Sequence, residues 1–261
     1  MRVNAVGIIP ARWSSTRFPG KALHPIAGKP LLQHVWERCR KARALESVII
    51  ATDDMRIAEA AFAWGAEVAL TSSRHQSGTD RVAEVARKAP EFTHIINIQG
   101  DEPLTDSKLL DRLVREMAKD SAIEMITAAH PFADAADVAS PHQVKVVIGK
   151  TRDALYFSRS PIPYLAHESD RTLPTHLRHQ GIYGYRRATL LRLVTWKPSA
   201  LERAESLEQL RALENGVRIR VLVTGSGSPG VDTPADAEAV ARALVRVARK
   251  KVPPKRKKKA R

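Results

Sequence analysis

Cationic and acidic side chains stand where this chain leaves its apolar runs, and their types and spacing suit the handling of phosphate. Val3 to Ile9 reads as a strand that runs directly into Pro10-Ala11-Arg12-Trp13-Ser14-Ser15-Thr16-Arg17-Phe18-Pro19-Gly20-Lys21. Arg12, Arg17 and Lys21 give this loop three fixed positive charges, and Gly20 allows close backbone approach, a combination that fits a polyphosphate better than an apolar partner. The competing reading is a solvated basic loop. Two carboxylates repeat the placement. Asp101, in Gln99-Gly100-Asp101-Glu102-Pro103, and Asp232, in Gly230-Val231-Asp232-Thr233-Pro234, each come shortly after a strand-like run and a glycine. Two such groups can meet over one or two magnesium ions that bridge phosphate oxygens. Taken singly, Asp101 also suits a turn, and Asp232 before Thr233-Pro234 also suits a helix cap.

Other segments carry weaker signals. Gln76-Ser77-Gly78-Thr79-Asp80-Arg81 opens a helix after a strand, so its backbone donors can receive part of a nucleotide or merely be capped by Ser77. His176, Arg178, His179, Tyr183 and Tyr185 crowd one strand-like stretch, and alternation puts His179, Tyr183 and Tyr185 on one face, a set that suits a polyhydroxylated acid. Gly225-Ser226-Gly227-Ser228-Pro229-Gly230 matches a dinucleotide fingerprint, but too little chain follows to complete the βαβ unit, which leaves a flexible turn as the better reading. Gly28-Lys29 is followed by Pro30 and is not a phosphate-binding P-loop. The nine histidines show no zinc-binding spacing, and Asp53-Asp54 is not the Asp-x-Asp of a metal-dependent glycosyltransferase. Cys39, the only cysteine, falls on the helical stripe Leu32, Val35, Trp36, Cys39 and reads as a core side chain.

The elements that must position these residues follow from periodicity. Strands over 3–9, 47–51, 66–70 and 93–98 alternate with helices over 31–43, 54–64, 79–88 and 106–119, which predicts an α/β fold with a mostly parallel central sheet and helices on both faces. Strands over 123–130, 143–149, 153–157, 177–185 and 217–224 follow less regularly around Ser160-Pro161-Ile162-Pro163, and a last helix spans 234–249. Residues 1–248 are read as one domain, with a smaller lid or subunit-contact region over about 125–200. Ligands of an open parallel sheet bind beyond the carboxyl ends of its strands, where the Arg12, Asp101 and Asp232 segments fall.

At 261 residues and 43% hydrophobic content the chain is long enough for a sizeable core, and no apolar run or leader pattern suggests membrane insertion or export, so a cytoplasmic protein is expected. The formal net charge of +15 suggests a nucleic-acid partner until it is located: nine lysines and arginines lie from Arg249 onward, leaving +6 for residues 1–248. The 249–261 tail is read as disordered and solvating, or as an electrostatic arm toward nucleic acid or an anionic membrane.

Taken together, Ile9-Pro10-Ala11-Arg12 through Ser15-Thr16-Arg17 and Pro19-Gly20-Lys21, the Gln99 to Pro103 string, Tyr156-Phe157-Ser158-Arg159, Arg178-His179 with Gly181-Ile182-Tyr183-Gly184-Tyr185, and Gly230 to Pro234 resemble the 3-deoxy-manno-octulosonate (Kdo) cytidylyltransferase family over about residues 3–245. The first motif alone marks the wider sugar nucleotidyltransferases; the Arg178 to Tyr185 string and the segment from Leu201-Glu202 to Gln209-Leu210 are more specific. The resemblance implies a Rossmann-like nucleotidyltransferase fold and formation of CMP-Kdo and pyrophosphate from CTP and Kdo, with magnesium, for lipopolysaccharide. It implies that Arg12, Arg17 and Lys21 hold the CTP phosphates and that Asp101 and Asp232 hold the metal. It further places Ser77 and Gly78 near the cytidine, Gln99 among the substrate contacts, the sugar among Arg159, His179, Tyr183, Glu208 and Gln209, and the chain in a homodimer. A CMP-sialate or amino-Kdo enzyme shares the first loop and both aspartates. A nucleic-acid-binding protein explains the tail but not the aspartates. The basic tail lies outside the family's pattern. If the tail is an electrostatic arm, retention on heparin falls with salt and is abolished by deletion of residues 249–261; unchanged retention on the column refutes the arm.

Overall fold

The computed structural model describes residues 3–14, 18–167 and 176–251; Arg17 and the tail beyond Lys251 lie outside them. Among the described residues nine strands form one sheet around a largely buried first strand, β1 (Ala5–Ala11). On one side β1 pairs in parallel with β4 (Ser47–Thr52), which pairs in parallel with β5 (Glu67–Leu70). On the other it pairs in parallel with β6 (His94–Asn97), so the chain reverses its direction of growth between β1 and β6. That reversal opens a crevice beyond the strand ends.

Beyond β6 the order continues with β10 (Leu177–Arg186), β7 (Met125–Pro131) and β11 (Ile219–Val223). β10 is antiparallel to both β6 and β7, whereas β11 is parallel to β7. β8 (Lys145–Ile148) and β9 (Ala154–Ser158) form an antiparallel pair beside the start of β10, and β2 (Pro25–Ile26) with β3 (Lys29–Pro30) makes a separate small hairpin. The 125–200 region therefore supplies two central strands as well as the β8–β9 pair.

Helices cover both faces. α1 (Leu31–Cys39), α2 (Met55–Ala63) and α4 (Ser107–Lys119) pack with Ile9, Ile96 and Ile126. α3 (Gly78–Lys88), α5 (Arg187–Leu193) and α7 (Gln209–Glu214) pack with Ile8, Ile95 and Met125 on the other. Side chains two residues apart along β1 and β6 take the same face, which sorts these strands into two cores. Starts are fixed by side-chain caps: Asp54 to the Arg56 N–H, Ser77 to Asp80 and Asp106 to Lys108. The expected 31–43 helix stops at Cys39, whose thiol is buried in the first core and pushed far up by that burial. α5, α6 (Ala200–Glu205) and α7 are additions to the sequence reading; each has only six or seven residues, too few to establish a helical period.

Gly184 on β10 is a point of forced close packing. A Cβ there stands 2.7 Å from Ile126 Cγ2 and 3.0 Å from Met117 Sδ. Gly184→Ala is therefore expected to cost about 2 kcal/mol by overpacking, read as a lower urea midpoint; an unchanged midpoint contradicts this packing.

Candidate active site

The crevice gathers residues from beyond the ends of several sheet strands and from the starts of α3 and α7. β1 delivers Pro10 and Ala11 to its rim, followed by Arg12, which is exposed. Gly20 then takes φ +70° at the start of a short 3-10 helix (Lys21–Leu23), with a Cβ-sized space closed by the Trp13 ring at 3.2 Å. The left-handed backbone favours glycine here, and it turns Lys21 inward. The Lys21 side chain is only 16% exposed, and its Nζ donates to Asp101 Oδ2 at 2.8 Å, Val231 O at 2.8 Å and Asp232 Oδ1 at 3.4 Å.

Asp232 reaches this place because Val231 is locked beside it. Val231 is fully buried with Phe18, Ile26, Leu31, Ala237 and Val240, and its N–H donates to Asp101 O at 2.9 Å. Burying such a valine contributes about 1.5–3 kcal/mol, enough to pin the turn before the last helix, α8 (Pro234–Lys251). The start of α8 is tied by Asp236 and Thr233: Asp236 Oδ2 accepts from the Asp232 and Thr233 N–H groups, and the Asp236 N–H donates to the Thr233 hydroxyl. The Asp232 carboxylate meets Lys21, so Asp101 and Asp232 converge on one cationic centre.

Two adjoining cavities share Pro10, Gly78, Gln99, Asp101, Glu208 and Asp232. The first, about 410 Å³, is lined by Arg12, Lys21, His75, Ser77 and Arg81. Gly78 packs under Pro10, where a Cβ stands 3.3 Å from the proline Cγ. Its far wall is ordered by Glu84, which accepts from Lys88 at 2.6 Å and from the Ser72 N–H at 2.9 Å and contacts His75 Nε2 at 2.6 Å. These partners, Lys88 first, hold the Glu84 carboxyl at about 2, below its usual 4.5. Arg81, absent from the sequence-based site, is buried against Asp53 at 3.1 Å and Thr71.

The second cavity, about 460 Å³, holds His179, Tyr183, Glu208 and Gln209 as expected. A register shift between Gln180 and Tyr183 brings the Thr127 hydroxyl 2.7 Å from Ile182 O and 3.0 Å from His179 Nε2. A carbonyl can only accept, so Thr127 spends its one hydrogen there and receives the His179 Nε2–H, which assigns the tautomer. Burial holds His179 at about 3, so the ring is neutral near pH 7. The rings of His179 and Tyr183 lie 5.3 Å apart, those of Tyr183 and Tyr185 5.9 Å apart, as strand alternation requires. Glu208 Oε2 accepts from Thr79 Oγ1 at 2.6 Å, joining the start of α7 to that of α3. Gln99 Nε2 donates to Gly181 O at 2.9 Å, fixing the β6 exit against β10. Burial, and then the neighbouring Asp101 charge, pushes the Glu102 carboxyl up to about 8.

Arg159 stands apart from this group. It does not line either cavity, because its guanidinium donates to the carbonyls of Glu205, Pro141 and Ser206 while its N–H donates to Glu205 Oε2. Fully buried Lys145 adds donations to the carbonyls of Ser140, Gln143 and Arg159, so both cations brace the wall that presents Gln143 and Ser206 to the cavity. Within the Gly225 to Gly230 segment, read as a flexible turn, Gly225 and Gly230 are exposed, whereas a Cβ at Gly227 stands 2.5 Å from His130 Nε2 and Gln180 Nε2 donates to Thr224 Oγ1 and Ser226 O. Arg17 lies outside the described residues.

A family model described as Cytidylyltransferase matches residues 6–219. A 3-deoxy-manno-octulosonate cytidylyltransferase of Geobacter metallireducens is 47% identical over 254 residues, covering 94% of this chain and 99% of the relative. That of Solibacter usitatus is 50% identical over 238 residues, covering 91% and 93%. Among solved structures, a CMP:2-keto-3-deoxy-manno-octonic acid synthetase complexed with CTP superposes with a TM-score of 0.89 at 43% identity, covering 94% of this chain and 99% of its own. A 4-diphosphocytidyl-2C-methyl-D-erythritol synthase from Anaerococcus prevotii shares the fold at a TM-score of 0.61 and 13% identity.

Glu84 yields a pH test of the first cavity's wall. Its carboxyl is lower in the folded chain than in the unfolded one, so its stabilisation is complete above pH 4.5 and fades as pH falls toward 2. Glu84→Gln should lower Tm at pH 7, with the gap to the parent closing below pH 4.5; a gap independent of pH rejects the assignment.

Proposed function

Since the chain belongs to the cytidylyltransferase family, and within it to the 3-deoxy-manno-octulosonate cytidylyltransferases, we propose that it joins CTP and Kdo into CMP-Kdo with release of pyrophosphate. The observation that supports this most directly is the shared rim: Asp101 and Asp232 stand at the junction of a cavity rimmed by cations and a cavity rimmed by His179, Tyr183 and Glu208. The first suits the triphosphate and the second the hydroxylated acid, with the reacting atoms at the boundary.

The sugar's anomeric hydroxyl attacks the α-phosphorus in line and pyrophosphate leaves, so the protein's work is alignment and charge neutralisation. Arg12 and Lys21 supply fixed positive charge to the phosphates, as Arg17 would from the same loop. Ser77 and Gly78 offer the start of α3 to the cytidine. His179, being neutral and donating through Nε2 to Thr127, is left as a hydrogen-bond acceptor for a sugar hydroxyl; Tyr183, Glu208 and Gln209 complete the second pocket. Arg159 positions this wall through Glu205 and Ser206.

Magnesium fits the donor set. Two carboxylate oxygens already address one cation, the Lys21 ammonium, and hard oxygen donors of this kind suit that ion. Asp101 and Asp232 are proposed to hold it, and when bound it neutralises phosphate charge and lowers the pKa of the attacking hydroxyl. We further propose a cytoplasmic homodimer serving lipopolysaccharide synthesis, its contact built from the 125–200 region, where Leu155 and Tyr164 are 63% and 89% exposed.

Pyrophosphate release should require CTP, Kdo and magnesium together, and comparison of Kdo, its 8-amino analogue and sialic acid under the same assay fixes the sugar. No release with any of them defeats the proposal. Asp101→Asn and Asp232→Asn should each lower kcat by about a hundredfold or more with the fold retained, whereas near-normal turnover removes that residue from the metal site. Lys21→Ala should reduce kcat at saturating CTP more than it weakens Kdo binding; an unchanged kcat counts against its phosphate role.

A further inference from the structure

Three side chains that line the second cavity are more than nine-tenths buried, and each carries an enclosed polar atom without a hydrogen-bond partner among the described residues: Asn97 Oδ1, Tyr183 Oη and Gln209 Nε2. Tyr183 and Gln209 already belong to the proposed sugar pocket. Asn97 does not, because in sequence it is one more residue of a buried strand. It closes β6, directly opposite Tyr183 in the antiparallel pairing with β10, and two residues after Ile95, whose side chain joins the core on the same face. An apolar residue there would simply extend that core. A buried amide with an unmet hydrogen-bonding atom is costly to keep, and its place in the cavity wall calls for a polar occupant that the amide can meet.

The set is also chemically complementary. The amides of Asn97 and Gln209 each offer a donor and an acceptor, and a phenol can do either. Neighbouring hydroxyls of a sugar, each both donor and acceptor, suit all three; a phosphate, which has only acceptors to offer, meets only the donor side of the Asn97 amide. Asn97 lines the second cavity and is not part of the wall of the first.

We propose that Asn97 is a specificity-determining residue that hydrogen-bonds a hydroxyl of the sugar acid through its side-chain amide in the wall of the pocket. This rests on the reading of the second cavity as the sugar site. It assigns Asn97 to recognition of the acceptor substrate, with no part in holding CTP.

The experiment first establishes turnover of Kdo and CTP by the parent enzyme; without it, the functional reading fails before Asn97 is tested. Asn97→Leu is then expected to raise KM for Kdo by about tenfold or more while KM for CTP stays within about twofold. Its Tm should stay level or rise, because Leu fills the volume and removes the unmet amide. A panel of Kdo analogues each lacking one hydroxyl adds a positive readout: one analogue should be a poor substrate for the parent yet be penalised little further by N97L. If N97L does not fold, Asn97→Asp keeps the shape and sets a negative charge against an anionic sugar, again raising KM for Kdo alone. An unchanged KM for Kdo in a folded variant of an active enzyme, or an equal rise in both KM values, overturns the proposal.

Discussion

A lysine withdrawn from water must find acceptors, and the way Lys21 finds them sets the arrangement of everything around it. Its ammonium meets Asp101, Asp232 and the Val231 carbonyl at once, so three distant segments are held at one point. Without that cation, two carboxylates facing one centre would repel each other and push apart the turns that carry them. With it, the β6 exit and the turn into α8 are drawn to the loop after β1, and the crevice acquires its acidic junction. The apolar cluster of Val231 with Phe18, Ile26 and Leu31 supplies the matching non-electrostatic constraint.

The sheet explains why the crevice is there. Growth outward from β1 toward β5, then reversal to β6, leaves the loops after β1 and β6 diverging above the sheet. The antiparallel course of β10 has a second effect: it brings the beginning of that strand, not its end, to the ligand edge. Arg178 and His179 thus face the same space as Gln99 and Asp101, and the second pocket is assembled beside the first.

Much of this was legible because placement at strand ends is a sequence property. Arg12, Lys21, Asp101 and Asp232 all follow apolar runs, and each stands at the crevice rim. Helices on both faces followed from periodicity. The direction of β10 was not legible, since an alternating pattern is the same whichever way a strand runs. α5 to α7 were too short to show a period, although Ser199 and Glu202 form a capping box that marks the start of α6. Asn97 was hidden by its context: between Ile96 and Ile98 a single amide looks like a tolerated polar residue until the cavity beside it is seen. Arg159, placed in the sugar pocket by resemblance, is turned instead to backbone carbonyls, a use of a guanidinium that no spacing rule exposes.

The bond from Lys21 to the Val231 carbonyl spans 210 residues. During synthesis the strands β1 to β10, and with them most of both cores, leave the ribosome before the turn that bears Asp232. A nascent chain of that length can lay down its sheet yet lacks half of the acidic junction and the helix that seals the small cluster over Val231. The junction is therefore completed only once the Asp232 turn has emerged, so a product terminated before it carries Lys21 and Asp101 without their third partner.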